Sequence, residues 1–302
     1  MIIDTHSHLS FKAYDSDRDE VIKRTQKEGV VCIDVGTKYE TSKRAVELAE
    51  KYENIYAAVG MHPIHIKTDL LKLKLDKEEG AFAPLGEEFD KAKYRELVIN
   101  SEKKAEGPNS RRTEGSEELK RRRVVAVGEI GLDYYYKPKG TAKKEQFKEK
   151  QKQVFLQQLE LAEELNLPVI VHCRMAHQDV IEILKNKNVE GVIHCFTGNW
   201  EEAQKYIDLG FYIGLNGIIF SALGRPASGG KLPLDDVVTQ CPLDKILTET
   251  DCPYLTPLQE NGKRNEPIFV KHVIQKIADL KSVSFAEVAD KTTQNAKKLF
   301  NI

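Results

Sequence analysis

Residues 168–198, PVIVHCRMAHQDVIEILKNKNVEGVIHCFTG, contain two short Val/Ile-rich runs separated by a stretch of helical character. The pattern predicts strands at Pro168–His172 and Gly191–Phe196, with a helix near 177–187 between them. Val and Ile fill both faces of each run, which is typical of parallel strands buried between helices and a core. The segment therefore predicts a β-α-β unit of a parallel sheet.

The same alternation of strands and helices continues through most of the 302 residues. Eight such strands favour an α/β fold, a single-domain (β/α)8 barrel of the TIM type covering residues 1–302. A doubly wound open sheet is the alternative, but no glycine-rich G-x-G-x-x-G turn supports it. The other strands are predicted at Ile2–Thr5, Val30–Gly36, Ile55–Met61, Val124–Ile130, Phe211–Leu215 and Lys245–Asp251, and the other helices near 18–28, 41–53, 143–166, 200–209, 266–280 and 284–300.

One stretch, at about 64–123, interrupts this rhythm and is rich in Lys and Glu. It is interpreted as an insertion between strands three and four that is partly helical at 87–104. The basic run Lys120–Arg123 directly precedes strand four. We therefore expect it at the barrel face opposite the active site, as a solvated surface rather than a DNA-binding patch. Deletion of most of 68–118 is accordingly expected to leave catalysis largely intact.

The composition is that of an ordinary soluble globular protein, with 40% hydrophobic and 31% charged residues. The formal net charge of −1 gives no whole-chain basic field, so nucleic-acid contacts must come from local charge or bound metal. No apolar run approaches the length of a membrane span, and residues 1–20 do not resemble a signal peptide. The five cysteines form no C-x-x-C pair, which indicates a reducing compartment. We expect a cytoplasmic monomer, with the nucleus as the alternative location.

Strands one and four each end with residues suited to metal binding. In Asp4-Thr5-His6-Ser7-His8, the two-residue period of a strand points His6 and His8 to the same side, where two imidazoles can chelate a divalent cation. Glu129 closes an otherwise apolar strand, in which an unpaired carboxylate would be costly to bury. Alone, the histidine pair can be incidental and Glu129 can be a buried, salt-bridged residue.

Strands five and six carry a second pair of candidate ligands. Each Val/Ile run stops at a histidine, which is His172 in one strand and His194 in the other. The neighbouring Cys173 and Cys195 alternate away from these histidines and are interpreted as packing residues. Taken one at a time, each histidine can equally be a core residue whose hydrogen bonds are satisfied.

The end of strand eight adds two carboxylates, Glu249 and Asp251, which share a face with Asp251 nearer the mouth of the barrel. The carboxyl ends of parallel strands converge on one face of a barrel, where active sites lie, so the candidates should form one cluster. Six ligands exceed what one ion with an open coordination site needs. A two-metal centre is the more economical interpretation, and mixed N and O donors suit Zn²⁺, Mn²⁺ or similar ions. The six are His6, His8, Glu129, His172, His194 and Asp251.

These motifs together resemble the TatD family of metal-dependent deoxyribonucleases, a branch of the amidohydrolase-like barrels. The resemblance follows the family's order over essentially the whole chain outside 64–123. It rests on Asp4–His8 (DTHSH), Gly60–Pro63 (GMHP), Gly128–Tyr134 (GEIGLDY), His172–Ala176 (HCRMA), His194–Gly198 (HCFTG), Glu249–Tyr254 (ETDCPY) and Arg264–Pro267 (RNEP).

The resemblance implies hydrolysis of phosphodiester bonds in DNA by a 3′-to-5′ exonuclease that favours single-stranded or frayed ends. It also implies two divalent metal ions per chain, with Mg²⁺ expected before Mn²⁺ or Zn²⁺. By the family pattern, His6, His8 and Asp251 would hold one ion, His172 and His194 would hold the other, and Glu129 would bridge the two.

A two-metal mechanism gives two of these residues catalytic roles. Ions that bind the phosphate lower the pKa of a bound water to near ~7 and stabilise the developing charge. Asp251 is predicted to take the proton from that water, while Glu129 holds both ions at the reacting centre.

Five residues around the expected mouth are candidates for substrate binding. Arg174 can clamp a phosphate in two places or form a salt bridge. Tyr134 can stack on a base or pack as a buried aromatic residue. His62 and His177 can contact phosphate, order a water, or have a structural role. Arg264 is expected to shape the mouth after strand eight.

Two other functions stay open from the sequence. The same ions polarise carbonyl groups, so an ester or amide hydrolase, such as an aminoacyl-tRNA deacylase, is one alternative. A non-catalytic binding scaffold is the other, although it usually loses ligand residues and every ligand position is filled here. Arg174 and Arg264 favour phosphate as the group that is bound.

Overall fold

The chain forms a barrel of eight parallel strands. A computed structural model describes residues 1–70, 77–80, 86–106, 122–220 and 234–302. Neighbouring strands pair in sequence order from β1 to β8, and each of these pairs is parallel. The (β/α)8 fold predicted from the sequence is therefore confirmed. The strands are β1 (Ile2–Ser7), β2 (Val30–Val35), β3 (Ile55–Val59), β4 (Val124–Asp133), β5 (Val169–Arg174), β6 (Gly191–His194), β7 (Tyr212–Leu215) and β8 (Ile246–Thr248).

Helices connect successive strands and cover the outside of the barrel. Each helix predicted from the hydrophobic pattern has a counterpart, whereas the short α7 was not predicted. Within the described ranges, every helix is too short or too polar to cross a membrane. The helices are α1 (Arg18–Lys27), α2 (Tyr39–Lys51), α3 (Lys91–Glu106), α4 (Thr141–Leu165), α5 (His177–Leu184), α6 (Trp200–Asp208), α7 (Asp235–Gln240), α8 (Val270–Lys281) and α9 (Phe285–Phe300).

Apolar side chains fill the inside of the barrel below the polar mouth. Ile33, Ala126 and Val192 belong to one buried cluster, and Leu299 and Phe300 of α9 pack into the same cluster. These two residues close the amino-terminal end of the barrel. Since the interior is filled from that side, polar side chains gather at the carboxyl-terminal end, where active sites of this fold lie.

Two strand ends differ from the prediction. β4 continues past Ile130 to Asp133, because it keeps pairing with β5 along that length. Glu129 therefore lies inside β4, at an irregularity of this pairing, and the prediction that it closes the strand is wrong. β8 ends at Thr248, so Asp251 lies in the following loop, where it has a left-handed φ of 59°.

The segment between β3 and β4 contains α3, which packs on β3, β4 and both neighbouring helices as the third helix of the barrel. Its Tyr94 and Val98 are buried in the core. The expected insertion at about 64–123 thus includes a regular barrel element. Deleting 68–118 would remove this helix and its buried side chains, so the structure argues against the expectation that catalysis survives the deletion.

The basic run before β4 is described only in part, because Lys120 and Arg121 lie outside the described residues. Arg123 donates hydrogen bonds to the carbonyls of Ala49 at 2.6 Å and Tyr52 at 2.7 Å, at the end of α2. An arginine that satisfies the last carbonyls of a helix stabilises that helix end. The expectation of a solvated side chain is therefore wrong for Arg123.

Candidate metal centre

Two histidines of β1 meet at the carboxyl-terminal mouth of the barrel. The Nε2 atoms of His6 and His8 are 3.2 Å apart, and both side chains are buried. Nδ1 of His8 lies 2.7 Å from the carbonyl oxygen of Val35, to which it donates a hydrogen bond. This bond turns Nε2 of His8 toward His6. Two imidazole nitrogens that face each other at this distance are suited to share a cation.

The carboxylate of Glu129 stands at the centre of the cluster. Its Oε2 is 3.5 Å from Nε2 of His6 and 3.9 Å from Nε2 of His8. Its Oε1 is 2.9 Å from Nδ1 of His172 and 3.5 Å from Nε2 of His62. Oε1 also lies 3.9 Å from Nε2 of His194. The two oxygens of this carboxylate therefore face different sets of histidines.

Asp251 and His194 complete the cluster on the side of β6 and β8. Oδ1 of Asp251 is 3.3 Å from Nε2 of His8 and 3.7 Å from Nε2 of His194. The backbone N–H of Asp251 donates to the carbonyl of His6 at 2.9 Å, which fixes this loop residue against β1. The rings of His6 and His194 stack with their centroids 3.4 Å apart. The structure thus brings the six residues predicted as ligands into one cluster.

Glu249 orients His194 from the other side of its ring. Oε1 of Glu249 is 2.9 Å from Nδ1 of His194, and it accepts hydrogen bonds from the N–H of Cys195 at 2.7 Å and the amide of Asn216 at 3.0 Å. A carboxylate beside one ring nitrogen directs the other nitrogen toward the site. Sequence reasoning noted Glu249 but gave it no role; a second acidic residue two positions before Asp251 was the available signal.

Cys195 lies at the cluster rather than away from it. β6 ends at His194, and Cys195 has a left-handed φ of 45°, so the alternation of a strand no longer applies to it. Its Sγ is 3.6 Å from Oδ1 of Asn216, and it groups with His194 and Asp251 as a possible metal donor. The interpretation that Cys195 points away from its histidine is therefore wrong.

His172, His62 and Asp133 form the far side of the cluster. Nδ1 of His172 faces Glu129, while its Nε2 is 3.5 Å from Oδ2 of Asp133. The rings of His62 and His172 lie 4.2 Å apart between centroids. Sequence reasoning missed Asp133 because β4 was expected to end at Ile130, although the carboxylate directly follows the strand's apolar residues.

Burial and close carboxylates set the protonation of the cluster. Burial lowers the pKa of His6 to about 4 and that of His62 to about 3. Burial also opposes charge on His8, but Asp251, Glu129 and the carbonyl of Val35 together outweigh this effect and raise the pKa of His8 to about 9. Burial would raise the pKa of Glu129, yet the surrounding histidines, His62 foremost, hold it well below its ordinary value. The carboxylates are therefore ionised, whereas His8 carries a proton that a divalent cation would displace on binding, because a histidine ligand must be neutral.

The donor atoms fit divalent cations. Glu129 and Asp251 are paired only with histidines among the described residues, with no Lys or Arg beside them. Buried carboxylates that face only imidazoles are well compensated by a metal ion. His62 enters one donor group, although the sequence suggested it for contact with phosphate, for ordering a water or for a structural role, and not as a metal ligand. The groups whose donor atoms lie within 4.8 Å of one another include His6 with His8 and Asp251, His62 with Glu129 and His172, and His6 with His194 and Glu249.

Two of the predicted substrate-binding residues lie beside the cluster. Arg174 stacks its guanidinium on Tyr135, with Cζ 3.8 Å from the ring centroid, and no described carboxylate pairs with it. Its N–H groups are therefore not committed to a salt bridge within the described chain. Tyr134 is half-buried, and its hydroxyl donates to Asp179 at 2.6 Å, which favours the packing role.

His177 and Arg264 are bonded to residues outside the cluster. Nδ1 of His177 contacts Sγ of Cys173 at 3.2 Å and the hydroxyl of Tyr206 at 3.1 Å, in a buried cluster of its own. Arg264 forms a double hydrogen bond to Asp17 at 2.9 and 2.7 Å. Both arrangements favour a structural role over contact with substrate.

A buried cluster of histidines and carboxylates at the carboxyl-terminal mouth of a (β/α)8 barrel defines the class of metal-dependent hydrolases. A family model described as TatD related DNase matches residues 3–301. The chain belongs to this TatD family, and the resemblance seen in the motifs is confirmed.

Relatives of the chain match it over its whole length. A metal-dependent hydrolase of Bacillus subtilis, YabD, is 38% identical over 307 residues that cover 100% of both chains. A 3′-5′ ssDNA/RNA exonuclease, TatD of Escherichia fergusonii, is 30% identical over 312 residues that cover 100% of this chain and 99% of the relative. The crystal structure of YJJV, a TatD homolog from Escherichia coli K12, has a TM-score of 0.74 at 28% identity and covers 100% of this chain and 98% of its own. The protein is therefore a metal-dependent hydrolase of this family.

Proposed function

We propose that the protein hydrolyses phosphodiester bonds in DNA with a two-metal centre. The observation that carries this proposal is the placement of Glu129, whose Oε2 faces His6 and His8 while its Oε1 faces His172 and His62. Donor groups on both sides of one carboxylate suit two cations that this carboxylate bridges. Paired ions of this kind are typical of enzymes that cleave phosphate esters.

A two-metal centre would give each of the six candidate ligands a metal-binding role. When bound, the two ions would act as Lewis acids on the phosphate and favour the ionisation of water. His6, His8 and Asp251 would hold one ion, His172 and His194 the other, and Glu129 both.

Asp251 is suited to accept the proton of the attacking water. Its side chain is 14% exposed, compared with 5% for Glu129, so it is the more open of the two carboxylates. Burial would raise the pKa of Asp251, but His194 and His8 hold it below its ordinary value. The group is therefore ionised at neutral pH, as a general base must be.

Nucleic acid as the substrate is supported by the name of a relative. The Escherichia fergusonii protein is called a 3′-5′ ssDNA/RNA exonuclease, and we propose the same direction of attack here, on single-stranded or frayed DNA with Mg²⁺. The uncommitted N–H groups of Arg174 are suited to bind a phosphate in two places.

Cleavage of end-labelled DNA tests the proposal. Single- and double-stranded substrates, with an RNA of the same sequence, are incubated with the protein in Mg²⁺, Mn²⁺, Zn²⁺ or EDTA, and Glu129→Ala is the control. We expect metal-dependent shortening from the 3′ end that is lost in the variant. If metal-loaded protein cleaves none of these substrates, the nuclease proposal fails, and ester or amide substrates such as aminoacyl-tRNA take its place.

The role of Asp251 has its own test. Asp251→Asn should remove most turnover, because the amide cannot accept the proton, whereas the protein should stay folded. Single-turnover kinetics on protein whose metal content has been measured separates loss of the base from loss of an ion. Near-normal turnover by metal-loaded Asp251→Asn would rule out this role.

A further inference from the structure

Two tyrosines lie exposed at the mouth of the barrel, beside the candidate metal centre. Tyr135 is 51% exposed and Tyr136 is 41% exposed, in the loop that follows β4. Their rings are 5.0 Å apart at an interplanar angle of 89°. Large aromatic side chains normally bury their surface, so two adjacent exposed rings at an active-site mouth indicate a binding surface.

Arg174 and the metal-centre residues hold this aromatic pair in place. The guanidinium of Arg174 lies 3.8 Å from the centroid of Tyr135 and 5.6 Å from that of Tyr136. The backbone N–H of Tyr135 donates to Oδ1 of Asp133 at 2.8 Å, and the other oxygen of that carboxylate faces His172. The rings therefore have a fixed position relative to the site.

The same loop is strongly basic. Residues 134–144, YYYKPKGTAKK, contain four lysines and no acidic residue, and we call them the tyrosine–lysine loop. Lys137, Lys139 and Lys143 are exposed, and among the described residues no carboxylate pairs with any of the three. Arg123, in the other basic run, is instead bonded to backbone carbonyls. Three cations that no described carboxylate pairs with thus lie in the same loop as the exposed rings.

Exposed rings interleaved with uncommitted cations match the chemistry of single-stranded nucleic acid. Unpaired bases stack on aromatic faces, and the phosphates between them pair with lysines. A duplex offers the phosphates but keeps its bases stacked internally, so it would engage the lysines and not the rings.

We propose that the tyrosine–lysine loop, together with Arg174, binds the unpaired nucleotides of a single strand whose reacting end lies at the metal centre. This proposal rests on the proposed function, because it assigns the surface that selects single strands for the same site. The tyrosines contact bases and the lysines contact phosphates. They are binding residues, and the chemistry stays with the metal centre.

Binding measured apart from cleavage tests the proposal. Fluorescence anisotropy of a short labelled oligothymidylate with a cleavage-resistant phosphorothioate backbone, and of a duplex of equal length, gives Kd at several salt concentrations. Y135A/Y136A should weaken single-strand binding by about tenfold or more and leave duplex binding unchanged. Y135F/Y136F keeps both rings and should bind within about twofold of the parent.

The lysines are tested by the salt dependence of binding. K137A/K139A should reduce the slope of log K against log salt by roughly 1.4 for the single strand, about 0.7 for each phosphate that a lysine no longer neutralises. The matched control is K297A/K298A, which removes two exposed charges from α9, at the closed end of the barrel. This control should leave the slope unchanged.

The outcomes separate this proposal from the nuclease proposal. Hydrolysis of bis(p-nitrophenyl) phosphate by the parent protein measures phosphodiester cleavage separately from oligonucleotide binding. The loop proposal is overturned if Y135A/Y136A binds the single strand as tightly as the parent does, or if it weakens duplex binding as much as single-strand binding. It is also overturned if the parent binds no oligonucleotide. If single-strand binding weakens as predicted but no phosphodiester is cleaved, the loop proposal stands and the nuclease proposal fails.

Discussion

The buried carboxylate of Glu79, in the segment after β3, bonds to residues that follow β2. It is 6% exposed, and its Oε2 is 2.9 Å from Nε2 of His65. Its Oε1 accepts a hydrogen bond from the hydroxyl of Thr37 at 2.5 Å and lies 3.6 Å from Nζ of Lys38. Burial alone would raise the pKa of Glu79, but His65, Thr37 and Lys38 outweigh it and lower the pKa to about 2. The folded protein therefore stabilises the charged carboxylate.

The size of this stabilisation follows from the pKa. An unfolded glutamate has a pKa of 4.5, and each unit of difference between folded and unfolded values corresponds to about 1.4 kcal/mol. Because the folded value is depressed, the contribution is complete above the unfolded pKa and is lost as the pH falls toward the folded one. Glu79→Gln should lower the free energy of unfolding by roughly 3 kcal/mol at pH 7, but by only about 1–2 kcal/mol near pH 3.

Urea unfolding across this pH range, followed by the fluorescence of Trp200, measures the difference. The matched control is Glu40→Gln on α2, because Glu40 forms an exposed ion pair with Arg44 at 3.4 Å and should contribute at most about 0.5 kcal/mol. A loss below about 1 kcal/mol for Glu79→Gln at pH 7, or a loss that does not shrink in acid, would refute the reasoning.

Two further substitutions test residues around the site. Glu249→Gln should weaken metal binding by about ten- to a hundredfold in a chelator competition titration, because Nδ1 of His194 loses its carboxylate; unchanged affinity would contradict this role. Arg264→Ala should cost about 1–3 kcal/mol in urea unfolding, because its bonds to Asp17 disappear, and leave KM for DNA nearly unchanged. A raised KM without loss of stability would instead assign Arg264 to substrate binding.

Local periodicity was enough to predict the fold and to group the candidate ligands at one end of the barrel. The Val/Ile runs locate the strands, and the carboxyl ends of parallel strands share one face, so His6, His172 and Asp251 could be grouped without knowing any contact. Where the periodicity breaks, the prediction failed. The glycines around Glu129 interrupt the apolar pattern and hid the continuation of β4 to Asp133.

Contacts between distant residues could not be predicted in this way. Glu79 and Thr37 are 42 positions apart, and no local sequence pattern around either residue indicates that the two are hydrogen-bonded. The side chain of Cys195 was predicted to point away from His194 because side chains alternate along a strand. Cys195 itself has a left-handed φ, so this alternation does not reach it. Glu249 was visible in the sequence, but its role depends on which ring nitrogen of His194 it faces, and only the packed barrel determines that.

The seam of the barrel, where β8 returns to β1, connects the candidate ligands with the stability of the barrel. Between β1 and β8, the described backbone forms a single ladder bridge, Ser7 to Cys252, while each of the other neighbouring strand pairs shares two to five residue pairs. His6 and His8 stand on one side of this seam and Asp251 on the other. An ion held by these three residues would link β1 to the loop after β8, where the pairing between neighbouring strands is shortest. Metal affinity and the resistance of the barrel to opening at this seam would therefore increase or decrease together.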